Sequence, residues 1–214
     1  VNELSDDDQG GYVAFDQDAY LREALDAMSA VGHRTGLENA VAGETPGGAT
    51  SIGDGMLLAA QQHDTNGIAD NACTFVLLSD GYENAEAYWA DVQNQVVDNG
   101  CSLDVIAFGP EANEDLLQQI AGASAVADTS YDYAPDTGDV VFNGGAGAAT
   151  IGWENNLSRV YDYKAAQAAG RQRIFSDGLG PVSGVQQHPF MVDATTEELV
   201  VAIAWQTASS FDSI

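Results

Sequence analysis

Thr74–Gly81 reads TFVLLSDG. Thr74–Leu78 is unbroken by any charged residue. Such a run suits a strand covered on both faces, as in a parallel sheet, where neither face has water to satisfy a polar side chain. It stops at Ser79-Asp80-Gly81, a polar end with a turn residue. Leu103–Phe108, LDVIAF, repeats the pattern before Gly109-Pro110. Between the two, Ala85–Val97 carries Tyr88, Trp89, Val92 and Val96 at helical spacing. Beyond them, Glu114–Ala121 reads as a helix and Ala125–Thr129 as a further strand. Strands alternating with helices over short connections predict an α/β fold. Its sheet is open and mostly parallel, with helices on both faces and right-handed crossovers.

Working outward toward the N-terminus, Gly11–Phe15 (GYVAF) reads as a strand. Tyr20, Leu21, Leu25, Met28 and Val31 fall at helical spacing and predict a helix over Tyr20–Val31. Gly43–Gly48 is loop chemistry, and a second helix starts at Ser51 or Ile52 with Thr50 or Ser51 as N-cap. Toward the C-terminus, Asp136–Thr150 is rich in Gly and Ala and reads as a linker. Trp153–Ala169 reads as a helix, and from Arg171 the text alternates with hairpin signals and a strand at Glu198–Trp205. The expected division is an α/β unit over residues 1–135, a linker and helix over 136–170, and the start of a β-rich, sandwich-like unit over 171–214.

The chain has 33 acidic and 6 basic residues, a net charge of −27, yet only 18% of its residues are charged. The acidity therefore comes from scarcity of Lys and Arg. Such a surface repels nucleic acid and anionic lipid, both of which need cationic neutralisation, so neither is an expected partner. No apolar run approaches the ~18 residues of a membrane span. Self-repulsion of this size is tolerated where salt screens it, which fits an extracellular, marine or halophilic setting. The start, Val1-Asn2-Glu3-Leu4, has neither Met nor a signal-peptide pattern, so a segment of a longer protein is expected. Cys73 and Cys101 each precede a predicted strand. Neighbouring parallel strands begin at one sheet edge, so the two sulfurs either form a disulfide or remain as half-buried thiols. With no His nearby in sequence, zinc is not expected there.

Enzyme signatures are missing. There is no H-E-x-x-H and no G-x-S-x-G, and His33, His63 and His188 read as helix-end or loop residues. Gly47–Gly55, GGATSIGDG, matches neither phosphate-binding glycine pattern and has no Lys beside it. It does offer the hydroxyls of Thr50 and Ser51. Ligands of open α/β sheets bind beyond the carboxyl ends of the strands, where Asp80 stands. A carboxylate, a hydroxyl and waters make a site for a hard cation such as Mg²⁺, with a position left open for a partner's carboxylate. Glu83 and Asn84 supply either further oxygens behind that ion or the polar start of the next helix. Asp6-Asp7-Asp8 reads as a solvated turn.

The order Gly48–Ile52 (GATSI), Leu77–Gly81 (LLSDG), Ala107–Pro110 (AFGP) resembles the von Willebrand factor type A domain. Within that family it is most similar to the secreted calcium-activated chloride channel regulator group. WENNLSRVYDYKAA from Trp153, RQRIFSDG from Arg171 and FMVDATTEELVVAIAW from Phe190 resemble the β-rich region that follows there, so the likeness covers most of the chain. The resemblance implies a metal-ion-dependent adhesion site built from three loops. Thr50 and Asp80 match two of them, with Ser51 and Glu83 behind. The third, D-x-S-x-S after the family's first strand, is absent. If Gly11–Phe15 is the family's second strand, that loop would lie upstream of Val1, and Mg²⁺ would bind weakly or not at all to this chain. Asp128–Asp132, DTSYD, begins like that motif but follows the last helix, and reads as an edge strand or loop. The implied function is non-enzymatic extracellular adhesion, through a protein ligand offering an acidic residue. The alternatives are a structural scaffold of a larger secreted protein with no working metal site, or an accessory domain of a secreted protease-like protein.

Overall fold

The structure, a computed structural model, describes residues 4–152 apart from residues 46, 70, 125, 127–129, 135–138 and 143–149. The expected helix at Trp153–Ala169 and strand at Glu198–Trp205, and His188, lie outside the described residues.

The chain opens with an antiparallel hairpin, β1 (Gln9–Phe15) and β2 (Ala19–Ala27), paired from Phe15↔Ala19 to Gln9↔Ala27. The turn is Asp16-Gln17-Asp18. Asp16 N–H donates to Asp18 O (2.9 Å), and Asp18 N–H donates to Asp16 Oδ1 (3.2 Å). This corrects the helix expected over Tyr20–Val31. Leu, Arg, Glu and Ala favour helices, but pairing with β1 overrides that preference. From Glu23 to Ala27 the strand alternates partly buried and exposed residues, a period of two, and Leu21 is 43% exposed. The helix comes later, as α1 (His33–Ala42). Its first residue, His33, is buried, with ring nitrogens 2.9 Å from Gly10 O and 3.1 Å from Glu23 Oε1. His33 thus pins α1 to the hairpin and is not a surface helix-end residue.

The larger sheet has the order β3 (Thr74–Ser79), β4 (Ser102–Phe108), β5 (Ser130–Ala134), β6 (Asp139–Phe142), β7 (Thr150–Gly152). The first three strands are parallel, in unbroken register from Thr74↔Ser102, and the last two are antiparallel. Both predicted central strands stand where expected. Every residue from Cys101 to Ala107 is buried, so both faces of β4 are covered. The strand expected at Ala125–Thr129 is found five residues later. Ser130–Asp132 therefore belongs to a strand paired on both sides, not to an edge. Asp132 is buried and interrupts the apolar run that would otherwise mark β5. Strands β6 and β7 fall largely within the stretch read as a linker.

The connections are helical: α2 (Ile52–Asn66), α3 (Trp89–Val97) and α4 (Glu114–Gly122). Asn113 Oδ1 caps α4 by accepting from Leu116 N–H, and Glu114 and Asp115 suit the positive end of its dipole. Ile52, Met56, Trp89, Val96, Leu103, Val105, Leu117 and Ile120 form one core between helices and sheet. Each such side chain contributes about 1.5–3 kcal/mol by leaving water. Among the described residues no helix is long and apolar enough to cross a membrane.

Helix α2 packs on β1, β2 and β3, and so ties the hairpin to the larger sheet. Among the described strands β1 pairs only with β2 and β3 only with β4. Between the two free edges, beneath α2, lies a cleft of about 1040 Å³ bordered by Tyr12, Val13, Phe15, Val76, Leu78 and Met56. Val76 is left 40% exposed there. The two edges run in the same direction. At one end Ser51 N–H donates to Asp16 O just past β1, while Asn84 N–H, just past β3, donates to Thr50 O. At the other, the Gln9 side chain at the start of β1 bonds Asn66 O and Ile68 N–H, in the segment leading to β3.

Candidate functional site

The carboxyl ends of β1, β3 and β4 converge on two loops, 47–51 before α2 and 80–88 before α3. Backbone polar groups in such loops need partners, and here the loops supply each other. Thr50 N–H donates to Asn84 Oδ1 (2.7 Å), and Thr50 O accepts from the N–H groups of Asn84 (3.0 Å) and Ala85 (3.3 Å). Ser51 Oγ lies 3.0 Å from both Asp54 Oδ2 and Ala87 O, and Ala87 N–H donates to Asp54 Oδ2 (3.1 Å). Glu83 Oε1 accepts from Gly53 N–H (3.2 Å) and Trp89 N–H (2.7 Å), so one carboxylate satisfies the first turns of both α2 and α3.

Close packing makes the strap rigid. A Cβ on Gly53 would stand 2.6 Å from the carbonyl carbon and oxygen of Tyr88, so α2 lies directly on that backbone. Gly81 turns the chain after Asp80 at φ +75°, and a Cβ there would meet Leu117 Cγ at 2.8 Å. Asn113 fastens the same turn from the β4 side. Its N–H donates to Asp80 O (2.7 Å) and its Nδ2 to Gly81 O (3.2 Å).

The four expected site residues divide in two. Ser51 is fully buried and its hydroxyl is spent on the strap. Glu83 is likewise structural. Burial holds its carboxyl above the usual carboxylate range, against the lowering effect of the Trp89 and Gly53 N–H groups. Thr50 and Asp80 keep oxygens to spare. The Thr50 backbone is engaged, but its hydroxyl takes no part in the strap. Asp80 is exposed and accepts through Oδ1 from Tyr82 N–H (3.1 Å), leaving its second carboxylate oxygen outside that bond. This donor chemistry, a hydroxyl and a carboxylate, fits a hard cation that keeps much of its water. Asp16, at the same end of the sheet, lies against Gly48. In the sequence Asp16 directly follows the strand predicted at Gly11–Phe15, but with a helix expected from Tyr20 nothing marks it as a hairpin turn.

At the opposite edge of the sheet, Cys73 and Cys101 are joined by a disulfide, with Cα atoms 4.7 Å apart. The adjacent start points of β3 and β4 bring them together. A ring nitrogen of His63 lies within 4.8 Å of both sulfurs, a neighbour invisible in linear sequence.

A family model for the von Willebrand factor type A domain matches residues 1–140. No protein of curated function matches the sequence. Among solved structures, the conserved hypothetical protein BatB from Bacteroides thetaiotaomicron is similar over 79% of this chain and 82% of its own. The identity is 16% and the TM-score 0.52, a likeness of fold alone. An uncharacterized membrane spanning protein from Vibrio fischeri aligns over 77% of this chain and 66% of its own, with 20% identity and a TM-score of 0.25.

Proposed function

The chain belongs to the von Willebrand factor type A domain family, and on that premise we propose that it is a non-enzymatic module that recognises another protein outside the cell. The observation that carries this reading is the strap between loops 47–51 and 80–88. It holds Thr50 and Asp80 at the carboxyl end of the sheet with a free hydroxyl and an exposed carboxylate. These two residues would hold a Mg²⁺ ion, which when bound offers an open position to an acidic side chain of the partner. Ser51, Glu83 and Asn84 keep the two loops in one relative position.

The reading extends to the rest of the site. The cleft between the free edges of β1 and β3 is the seat of one more strand, and that strand brings the third set of oxygens, the D-x-S-x-S loop. Two codirectional edges and an apolar floor support this. The parent is then a longer extracellular protein of the calcium-activated chloride channel regulator kind. The order of the GATSI, LLSDG and AFGP elements supports that kind, and the −27 charge supports the extracellular setting.

The test is Mg²⁺ titration calorimetry in high NaCl, which suppresses diffuse cation binding to so acidic a surface. Three proteins are compared: the chain as it stands, Thr50→Ala and Asp80→Ala. Saturable binding that both substitutions remove sustains the site. Indistinguishable heats from all three refute metal binding by this chain and favour the scaffold reading.

A further inference from the structure

We propose that His63, Cys73 and Cys101 form a redox-gated zinc site, closed while the disulfide stands and opened when it is reduced. One ring nitrogen and both sulfurs lie within 4.8 Å of one another. They come from three separate places: the last turn of α2, the residue before β3 and the residue before β4. The imidazole is held in place. It meets Phe75 edge-on, with centroids 6.4 Å apart and an interplanar angle of 81°. On another side Gly67 passes so close that a Cβ would stand 2.9 Å from Nε2. Nδ1 is buried and has no hydrogen-bond partner. A buried lone pair or N–H without a partner is rare in folded proteins and calls for an explanation.

Asn99 is the fourth member of this corner. Its Nδ2 donates to Asp64 Oδ1 (2.6 Å) and Ala60 O (3.3 Å), which fixes its Oδ1 at 2.9 Å from Cys101 Sγ. That oxygen is placed to accept a hydrogen bond from the Cys101 thiol once the disulfide opens.

The chemistry balances as follows. A dithiol or a phosphine delivers two electrons and the S–S bond breaks; the two protons that complete the thiols come from the dithiol itself or, with the phosphine, from the water whose oxygen it takes. The dithiol leaves as its own disulfide, the phosphine as its oxide. Zn²⁺ then displaces two protons, giving two thiolates and a neutral imidazole, with water as fourth ligand. That is a tetrahedral N/S donor set suited to this borderline ion. The ion restores the link across the same 28-residue separation that the disulfide had closed. Because this corner lies at the amino ends of β3 and β4, it stands apart from Thr50 and Asp80 and does not depend on the function proposed above.

Cobalt(II) titration of the full chain tests this, because thiolate ligation gives a charge-transfer band and tetrahedral geometry gives intense d–d bands. The oxidised protein should give neither. After phosphine reduction, one equivalent of Co²⁺ should develop both, and one equivalent of Zn²⁺ should bleach them. His63→Ala, checked for its fold by circular dichroism, should keep the disulfide and bind Co²⁺ roughly tenfold or more weakly after reduction. Cys73→Ser should lose the charge-transfer band. Three results would overturn the proposal: a folded reduced protein without the bands, a His63→Ala spectrum and affinity equal to the unsubstituted chain, or a reduced chain that unfolds and is not refolded by Zn²⁺.

Discussion

Replacing Glu83 by alanine removes the one acceptor shared by the first turns of α2 and α3. Two backbone donors lose their partner, Gly53 N–H at 3.2 Å and Trp89 N–H at 2.7 Å. Hydrogen bonds to a charged acceptor contribute about 1.5–3 kcal/mol each. The gain is offset here, because burial raises the Glu83 pKa in spite of those bonds. The side chain is also only partly buried, so solvent screens it. The expected loss for Glu83→Ala is therefore about 2–3 kcal/mol in total. Glu83→Gln keeps one oxygen in place and should cost about 1 kcal/mol. Urea unfolding followed by circular dichroism measures both. The pH dependence gives a second readout. A folded pKa raised above the unfolded one adds stability that is fully present below the unfolded pKa and is lost as pH rises through the folded value. Glutamine does not titrate, so its deficit should shrink as pH climbs through that window. The reasoning fails if Glu83→Ala lies within about 0.5 kcal/mol of the unsubstituted chain at neutral pH, or if the Gln deficit widens as pH rises.

Gly53→Ala gains up to ~1 kcal/mol in helix propensity but drives a methyl into the Tyr88 backbone, an overpacking cost of about 1–3 kcal/mol. A net destabilisation should appear in the same urea assay. Removing the disulfide as Cys73→Ser with Cys101→Ser opens a loop of separation 28. Chain entropy puts that loss at about 3–4 kcal/mol, read as a lower midpoint of thermal unfolding. Asp80→Ala should leave the midpoint nearly unmoved, by under about 1 kcal/mol, since Asp80 is exposed and its side chain holds only Tyr82 N–H. Only the calorimetric Mg²⁺ heat should respond.

The sequence was most legible where burial on two faces forces an unbroken apolar text. TFVLLS and SLDVIAF are β3 and β4, and the residues just before them carry the two cysteines. It was least legible where the backbone decides. AYLREALDA holds good helix formers, yet its pairing with β1 is a contact with residues nearby in sequence whose turn, Asp16-Gln17-Asp18, carries no glycine. Strand β5 was displaced because Asp132 interrupts its apolar pattern. At the site, the positions of Thr50 and Asp80 followed from loop and strand-end grammar. The strap did not, because Asn84, Glu83 and Asp54 act on backbone groups thirty or more residues away, and no local spacing encodes that. His63 beside the cysteines was hidden for the same reason.

The cleft between β1 and β3 has one more consequence, for stoichiometry. An ordinary exposed sheet edge is a template that renews itself, since each strand added to it presents a fresh edge to the next arrival. A slot flanked by two edges behaves differently. A single extended guest satisfies both sides at once and leaves no edge of its own behind. If the proposed strand seats there, association counts to one and stops, and a slot of this kind does not seed a fibre.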